Sequence, residues 1–238
     1  MLEVCVDTIQ AALIAVEAGA DRIELCSDLD SGGVTPSWQL VLAVRRAISV
    51  PLIVLIRSRA GDFIYNDLEH KSMVKQAKEA INLGADGIAI GSLSLTRDLH
   101  WKFLSTIRKT FPERQLVLHR AFDHIREPSR GIEEAIKLGF VRILTSGGPV
   151  SAIDGVQELH RLSLMAHDRI EIIPAGGIMP SNAWEILTKT GVSQLHGSFR
   201  SSVQANEGGK LPDANAITST KEILKRFLLQ PSRSVMPS

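Results

Sequence analysis

Residues 2–26, LEVCVDTIQAALIAVEAGADRIELC, hold one complete strand–helix–strand unit. Short apolar and β-branched runs begin and end the stretch, and between them apolar residues recur at the three- and four-residue spacing of a helix. A Gly-Ala-Asp turn at 19–21 precedes the second strand, and the same turn recurs at 84–86. Because a crossover helix returns the chain to start another strand in the same direction, this unit predicts parallel pairing.

The same alternation continues along the chain and predicts eight strands, each followed by a helical pattern. The strands are roughly Leu2–Asp7, Arg22–Cys26, Leu52–Arg57, Gly87–Gly91, Leu116–Ala121, Arg142–Thr145, Glu171–Pro174 and Leu195–Ser198. Eight such units predict an α/β fold, a (β/α)8 TIM barrel, and 238 residues fall in the ~200–250 range of one barrel domain. An open doubly wound sheet is the alternative, but it usually has a glycine-rich nucleotide turn after its first strand, and residues 7–9 offer none.

The end of the chain carries two segments of different character. Residues 1–230 are expected to form a single domain, with residues 231–238 as a frayed tail. Residues 201–213 are polar and contain glycine, which predicts a surface loop between the last strand and the last helix. Such a loop can cover a site, contact a neighbour or simply move in solvent.

Charge and composition exclude several classes of function. The chain has 27 Lys and Arg against 26 Asp and Glu, so its net charge of +1 gives no broad positive field for nucleic acid or anionic lipid. No apolar run reaches the ~18–20 residues that cross a bilayer as a helix. No secretory signal pattern opens the sequence, and the two cysteines, Cys5 and Cys26, lie in strand patterns rather than in a disulfide framework. These features predict a cytoplasmic protein with no nucleic-acid or membrane partner.

Polar residues in the strands show which side chains enter the barrel, because alternate residues of a strand share a face. Glu3, Cys5 and Asp7 share one face of the first strand, and the aliphatic residues between them suit packing under helices. The candidate catalytic residues that follow from this phase are Glu3, Glu24, Arg57, His119, Asp123 and His196. Unpaired interior charges are costly, so these groups must pair with one another or bind a ligand. A self-satisfied layer of ion pairs is one interpretation, and a functional site is the other, since barrel interiors are otherwise rich in Val, Ile and Leu.

Glycine turns after the later strands suggest an anion site, because TIM barrels often hold phosphate there on backbone N–H groups. The sequences PAGGI at 174–178 and SGG at 146–148 fit that position, although glycines at strand ends also serve simply as tight turns. The predicted anion-binding residues are Arg59, Ser146, Gly147, Gly176, Gly177 and Ser198.

The two cysteines predict a metal site at Cys5 and Cys26, since neighbouring parallel strands can bring two sulfurs close to one soft ion. Two thiolates with His or Met support suit copper(I), which is a soft ion. They suit structural zinc less well, because that ion usually has four protein ligands. The other interpretation treats both residues as small buried hydrophobic side chains, as free cysteine commonly is. No organic cofactor is predicted.

Short motifs occur along the chain in a specific order. They are EVCVD (3–7), GADRIELC (19–26), GGVTPS (32–37), GDFIY (61–65), GADG (84–87), HRAFD (119–123), LTSG (144–147) and HGS (196–198). Together they resemble the CutC copper homeostasis protein family from residue 2 to about residue 200. The resemblance implies a cytosolic TIM barrel that forms dimers or tetramers, with copper(I) ligands at Cys5 and Cys26. The chain departs from the family pattern at Ser58, Ala175, Phe199 and residues 201–213, which affects loop contacts and leaves the strand-borne cluster intact.

Two functions are therefore predicted. The resemblance and the cysteines predict a cytosolic copper(I)-binding protein of copper homeostasis, whose partner is the copper ion. The polar cluster predicts instead an enzyme that acts on a small anionic or phosphorylated metabolite. In that enzyme the acid/base would be Glu3 or Glu24, the proton-transfer or orienting groups His119 and His196, and the anion clamps Arg57 and Arg59.

Overall fold

The computed structural model describes residues 1–148, 150–205 and 209–230. Its parallel strands are β1 (Leu2–Val6), β2 (Arg22–Leu25), β3 (Leu52–Ile56), β4 (Gly87–Ile90), β5 (Gln115–Leu118), β6 (Arg142–Thr145), β7 (Glu171–Pro174) and β8 (Leu195–Gly197). Each strand from β1 to β6 pairs with the next in sequence, and β8 pairs with β1. A parallel bridge between Ala175 and His196 joins the end of β7 to β8 and closes the ring. The predicted barrel is confirmed, and the open-sheet alternative is wrong.

A helix follows every barrel strand. The helices are α1 (Ile9–Glu17), α2 (Trp38–Ala47), α3 (Asp67–Asn82), α4 (Trp101–Thr110), α5 (Pro128–Lys137), α6 (Val156–Ala166), α7 (Pro180–Thr190) and α8 (Ala214–Leu228). Local chemistry fixes their ends: the Asn66 side chain accepts the N–H groups of Leu68 and Glu69 at the start of α3, and Gly191 takes a φ of 72° after α7. Within the described ranges, none of the helices has both the length and the apolar character to cross a membrane.

Side-chain packing confirms the strand phase inferred from the sequence. Leu2, Val4 and Val6 of β1 lie in a large core between the strands and the helices. Cys5 and Cys26 belong instead to a smaller apolar cluster inside the barrel, whose other members are Ile53, Leu55, Ala89, Val117, Leu144, Ile173 and Ala175. Because both layers are apolar, each polar side chain that is buried in them needs a partner.

Strand register determines which polar side chains meet. Glu3 on β1 lies opposite Arg22 on β2 and opposite His196 on β8. Cys5, two residues further along β1, lies opposite Glu24 on β2. Since side chains at equivalent depth in a barrel converge on one level, the register brings these groups into contact although they are remote in sequence.

The fifth strand ends earlier than predicted. β5 stops at Leu118, and the His119 ring accepts the N–H of Ala121 and so caps a 3₁₀ turn at Arg120–His124. Both His119 and Asp123 were predicted as site residues from the phase of this strand, and that phase is wrong for Asp123, which lies in the turn. The side chain of His119 competes for a backbone donor that a strand would have needed.

The predicted surface loop at 201–213 contains an antiparallel hairpin. Its strands are β9 (Arg200–Gln204) and β10 (Lys210–Pro212), and the Ser201 hydroxyl donates to the carbonyl of Leu211 at 2.9 Å. The loop prediction is wrong for these strands, since strands this short and polar lack a clear hydrophobic alternation. Residues 231–238, predicted to be a frayed tail, lie outside the described residues.

Candidate functional site

A cavity of about 190 Å³ lies at the carboxyl ends of the barrel strands, where TIM barrels carry their functional groups. Its lining is Cys5, Glu24, Cys26, Leu29, Gly32, Leu55, Arg57, Phe63, His119, Arg120, Leu144, Ala175, Gly176, Gly177, His196, Gly197 and Ser198. We call one part the thiol side, which consists of Cys5, Glu24, Cys26 and His196. We call another part the arginine side, which consists of Arg57, Phe63 and His119.

The two cysteines meet on the thiol side. Their Sγ atoms lie 3.7 Å apart, and both thiols are free and buried. The Cys26 thiol also donates to the carbonyl of Val6 at 3.6 Å. Contact with Cys26, together with burial, raises the pKa of the Cys5 thiol well above its ordinary value. Because the two Sγ atoms are this close, both can bind one soft ion. The ion would displace a thiol proton as it binds.

His196 completes the thiol side. Its Nδ1 lies 2.7 Å from Glu3 Oε1, and its Nε2 lies 3.6 Å from Glu24 Oε2. Burial lowers the pKa of this imidazole, but contacts with Cys5, Glu3 and Glu24 outweigh burial and raise the pKa well above its usual value. The ligand atoms of Cys5, Glu24 and His196 all lie within 4.8 Å of one another, so these three buried residues can hold a metal ion.

A buried polar network supports the His196 ring. Glu3, only 1% exposed, accepts hydrogen bonds from Arg22 and His196 through different carboxylate oxygens. Arg22 in turn donates to Gln194 Oε1 at 2.9 Å. Burial raises the pKa of Glu3, but its bond to His196 and the charge of Arg22 together lower it to about 2. Glu3 is therefore a carboxylate that fixes the imidazole through Nδ1, which leaves Nε2 on the side of Glu24.

Arg57 is held on the arginine side by backbone carbonyls. Its Nη1 donates to the carbonyls of Gly32 and Gly33 at 3.1 and 3.0 Å, and its Nη2 donates to that of Gly61 at 2.7 Å. Its Cζ lies 4.7 Å from the centroid of the Phe63 ring, a cation–π contact. Across residues 1–148, 150–205 and 209–230, no carboxylate lies within 4.0 Å of this guanidinium. Arg57 is thus a buried cation without a counter-ion from that part of the chain.

His119 is the second polar group of the arginine side. Its Nδ1 accepts the N–H of Ala121 at 3.1 Å, whereas its buried Nε2 has no hydrogen-bond partner among the described residues. Burial, and secondarily the charge of Arg57, lowers the pKa of His119 to about 3. The imidazole is therefore neutral at pH 7. Gly91 leaves room for it, since a Cβ there would lie 2.7 Å from the ring.

Asp123 braces the turn after β6 and is not one of the residues that line the cavity. Its carboxylate accepts hydrogen bonds from the Thr145 hydroxyl, from the Ser146 backbone N–H at 3.0 Å and from Arg120 Nε at 2.7 Å. Ser146 Oγ also accepts from Arg120 at 2.9 Å. The structure thus brings two predicted site residues, Asp123 and Ser146, together in a turn, and their catalytic and anion-binding roles stay predictions.

The remaining turn residues differ in where they lie. Gly176, Gly177 and Ser198 line the cavity, as the anion-site prediction requires. Gly147 directs its N–H to the Thr145 hydroxyl at 2.9 Å, so this donor serves the turn. Gly147 also has a positive φ of 77°, and a Cβ there would meet backbone at 2.6 Å. Packing alone accounts for that glycine.

Arg59 lies apart from the cavity lining. Its guanidinium pairs with Glu69 at 2.6 Å and with Asp62 at 3.0 Å, and its side chain is 40% exposed. It also stacks on the Tyr65 ring at 5.1 Å. Arg59 therefore does not line the cavity with Arg57, although the two are separated by one residue in the sequence.

Sequence reasoning missed three groups that shape the cavity. Gly32 and Gly33 take φ values of 87° and 83° and direct their carbonyls at Arg57, and Phe63 lies against both Arg57 and His119. The GG pair at 32–33 and the GDF motif at 61–63 were visible signals. Only the folded barrel shows that both motifs contact Arg57, the residue that follows β3.

Comparison with known proteins identifies relatives along most of the chain. The sequence profile of the CutC family matches residues 1–201. A human protein named copper homeostasis protein cutC homolog is 38% identical over 201 residues, which cover 84% of this chain and 74% of the human protein. A protein of Xanthomonas campestris pv. campestris strain B100 named family protein CutC is 37% identical over 204 residues, which cover 86% and 85% of the two chains.

Solved structures agree with these sequence relatives. The CutC protein of Streptococcus agalactiae superposes with a TM-score of 0.80 at 30% identity, and the match covers 83% of this chain and 98% of that one. A thiamine phosphate pyrophosphorylase from Pyrococcus furiosus superposes with a TM-score of 0.63 at 18% identity and covers 95% of this chain. The second likeness concerns the fold alone.

Proposed function

The chain belongs to the CutC family, and from that premise we propose that it is a copper homeostasis protein that binds copper(I) through Cys5 and Cys26. The observation that carries the proposal is the pair of buried sulfurs, 3.7 Å apart, in the lining of the cavity. Human and mouse relatives carry the name copper homeostasis protein cutC homolog. Their names describe no reaction, so the enzyme alternative stays a prediction from the polar cluster.

The donor set of the thiol side fits copper(I). Thiolates are soft ligands that select copper(I), and imidazole nitrogen is an accepted third donor. His196 Nε2 is placed for that role once the ion displaces its proton, since Glu3 holds the ring through Nδ1, as carboxylates commonly orient metal-bound histidines. Glu24 offers a hard oxygen that suits copper(I) less well. Cys5 and Cys26 are therefore proposed as the principal ligands, with His196 as the third.

The cytoplasm is the proposed compartment. Two free thiols 3.7 Å apart remain available to a metal only where disulfides do not form, and the cytosol keeps thiols reduced. The family resemblance also supports a homo-oligomer, a dimer or tetramer. Analytical ultracentrifugation of the purified chain measures that state directly.

An anaerobic titration tests the copper site. The full chain competes for copper(I) with a chromophoric chelator of known affinity, and one tight site per chain is expected. Cys5→Ser and Cys26→Ser should each weaken the affinity by more than the ~10–100-fold typical for loss of an outer-shell partner. His167→Asn is the control, because His167 is exposed and its left-handed backbone, with φ of 40°, suits Asn.

Two results would contradict this ligand assignment. If the double cysteine variant keeps the wild-type affinity while its circular dichroism shows a folded barrel, copper(I) does not bind at these thiols. If Glu24→Gln weakens binding while Cys26→Ser does not, the ligands are instead Cys5, Glu24 and His196, the three residues whose donor atoms lie within 4.8 Å.

A further inference from the structure

The arginine side takes no part in the proposed copper site, yet it holds two buried groups without matching partners in the described part of the chain. Among the described residues, the Arg57 guanidinium has no carboxylate within 4.0 Å, and His119 Nε2 has no hydrogen-bond partner. The two residues are only 6% and 4% exposed, and both line the cavity. Since buried polar groups in proteins are nearly always satisfied, the cavity beside them is expected to hold their partner.

The hydrogen bond at Nδ1 determines what His119 can recognise. Nδ1 accepts the N–H of Ala121, so it carries no hydrogen, and a neutral imidazole must then carry its hydrogen on Nε2. Burial keeps the ring neutral by lowering the pKa of His119 to about 3. Nε2 is therefore a donor, and the missing partner is an acceptor atom.

Charge narrows the choice of acceptor. Arg57 supplies a positive charge whose position is fixed by three backbone carbonyls, and its Cζ and the His119 ring both lie within 5.1 Å of the Phe63 centroid. An anionic oxygen can compensate this charge and accept from His119 at once. Nη1 donates two of the bonds to these carbonyls and Nη2 one, so Arg57 keeps one N–H on Nη2 and the Nε–H, which has no partner among the described residues. Two such donors match the two oxygens of a carboxylate better than the three strong acceptor oxygens of a phosphate.

The size and polarity of the cavity further restrict the kind of anion that can bind there. A cavity of about 190 Å³ has room for several waters or one small organic molecule. Leu55, Phe63 and Leu144 supply apolar surface beside the polar groups. An organic anion can cover that surface, whereas an inorganic oxyanion or chloride cannot.

We infer that the arginine side binds the carboxylate of a small organic anion, which accepts a hydrogen bond from His119 Nε2–H and neutralises Arg57. This site is independent of the copper proposal, because none of its residues belongs to the thiol side.

Imidazole NMR on the metal-free, ¹⁵N-labelled full chain tests the site without any variant. The spectrum of His119→Asn assigns the His119 signals, and the wild-type ring is expected to show the hydrogen on Nε2. Added pyruvate or malonate should shift that resonance and saturate it with a Kd below about 1 mM. A hydrogen on Nδ1, or no shift with either carboxylate, overturns the inference.

Binding isotherms of the same probes supply the second measurement. His119→Asn keeps a side-chain acceptor for the Ala121 N–H, since Asn is a good capping residue. The variant removes the Nε2–H donor. It should weaken pyruvate binding by about tenfold, within the range for one lost hydrogen bond to a charged group. His167→Asn should bind as the wild type does. Equal affinity in His119→Asn, or tighter binding of inorganic phosphate than of both carboxylates, contradicts the inference, and the copper titration is unaffected by either result.

Discussion

His196 and His119 line the same cavity, and their surroundings shift their pKa values in opposite directions. His196 lies between Glu3 and Glu24 on the thiol side, and its pKa rises well above the usual value. His119 faces Arg57 on the arginine side, and burial and that charge lower its pKa to about 3. Both rings are buried, with 9% and 4% of their surface exposed. The neighbouring charges, rather than burial alone, therefore decide which imidazole is protonated.

The same difference divides the cavity by the charge it favours. The thiol side, built on β1, β2 and β8 and supported by Glu3, gathers two thiols and the Glu24 carboxyl group, which suit a cation. The arginine side, built on β3 and the turn after β5, gathers a guanidinium and a neutral imidazole donor that suit an anion. A barrel brings such groups together because every strand contributes its carboxyl end to one opening.

Removing the charge of Glu3, which is hydrogen-bonded to His196, should have the largest effect on stability. Glu3→Gln leaves Arg22 and His196 buried without their carboxylate, so the free energy of unfolding is expected to fall by about 3–5 kcal/mol. Urea unfolding at neutral pH measures the change. Glu185→Gln is the control, since the Glu185–Lys189 pair is half-exposed and should contribute at most about 1 kcal/mol. Equal, small losses in both variants would show that the buried network adds no more than a surface pair.

Acid should destabilise the barrel through His119. The unfolded imidazole binds a proton near pH 6.5 and the folded one only near pH 3, so the unfolded state holds more protons between these values and stability falls as pH falls. The loss is about 1.4 kcal/mol per pH unit, or roughly 2 kcal/mol between pH 6.5 and 5. His119→Asn should remove this slope in urea-unfolding midpoints. An unchanged slope would place the proton uptake elsewhere.

The matching His196 variant should behave in the opposite way. The folded pKa of His196 is raised, so its stabilising contribution is complete below pH 6.5 and is lost as pH rises through the folded value. The stability difference between the wild type and His196→Asn should therefore narrow as pH rises, whereas that for His119→Asn should change only below pH 6.5. Parallel curves for the two variants would remove the contrast between the two sides.

The smallest effect is expected at Arg59. Its guanidinium pairs with Glu69 and Asp62 outside the cavity lining, so Arg59→Gln should change the Kd for pyruvate by less than about twofold. Calorimetric titration gives the comparison with the wild type. A loss of about tenfold, or ~1.4 kcal/mol, would support the anion-clamp role that the sequence predicted.

The sequence correctly predicted which strand residues face the barrel interior, because alternate residues of a strand share a face. Alternation on β1 and β2 correctly assigned Glu3, Cys5 and Glu24 to the interior, because a strand residue has only two faces to choose between. Residues beyond the strand ends were less predictable. Asp123 and Arg59 direct their side chains to turns and surface acids, and such choices depend on tertiary hydrogen bonds that no local pattern encodes.

The contact between β7 and β8 is the shortest stretch of strand pairing in the described part of the barrel, and it includes His196, a proposed copper ligand. Among the described residues, the backbone bridge across this seam joins Ala175 to His196, and β8 itself has only three residues. We expect a seam this short to open locally at lower free energy than the broader strand pairs elsewhere in the ring. An ion held by His196 would oppose that opening, so slower amide hydrogen exchange along 194–197 would report a loaded cavity from the backbone itself.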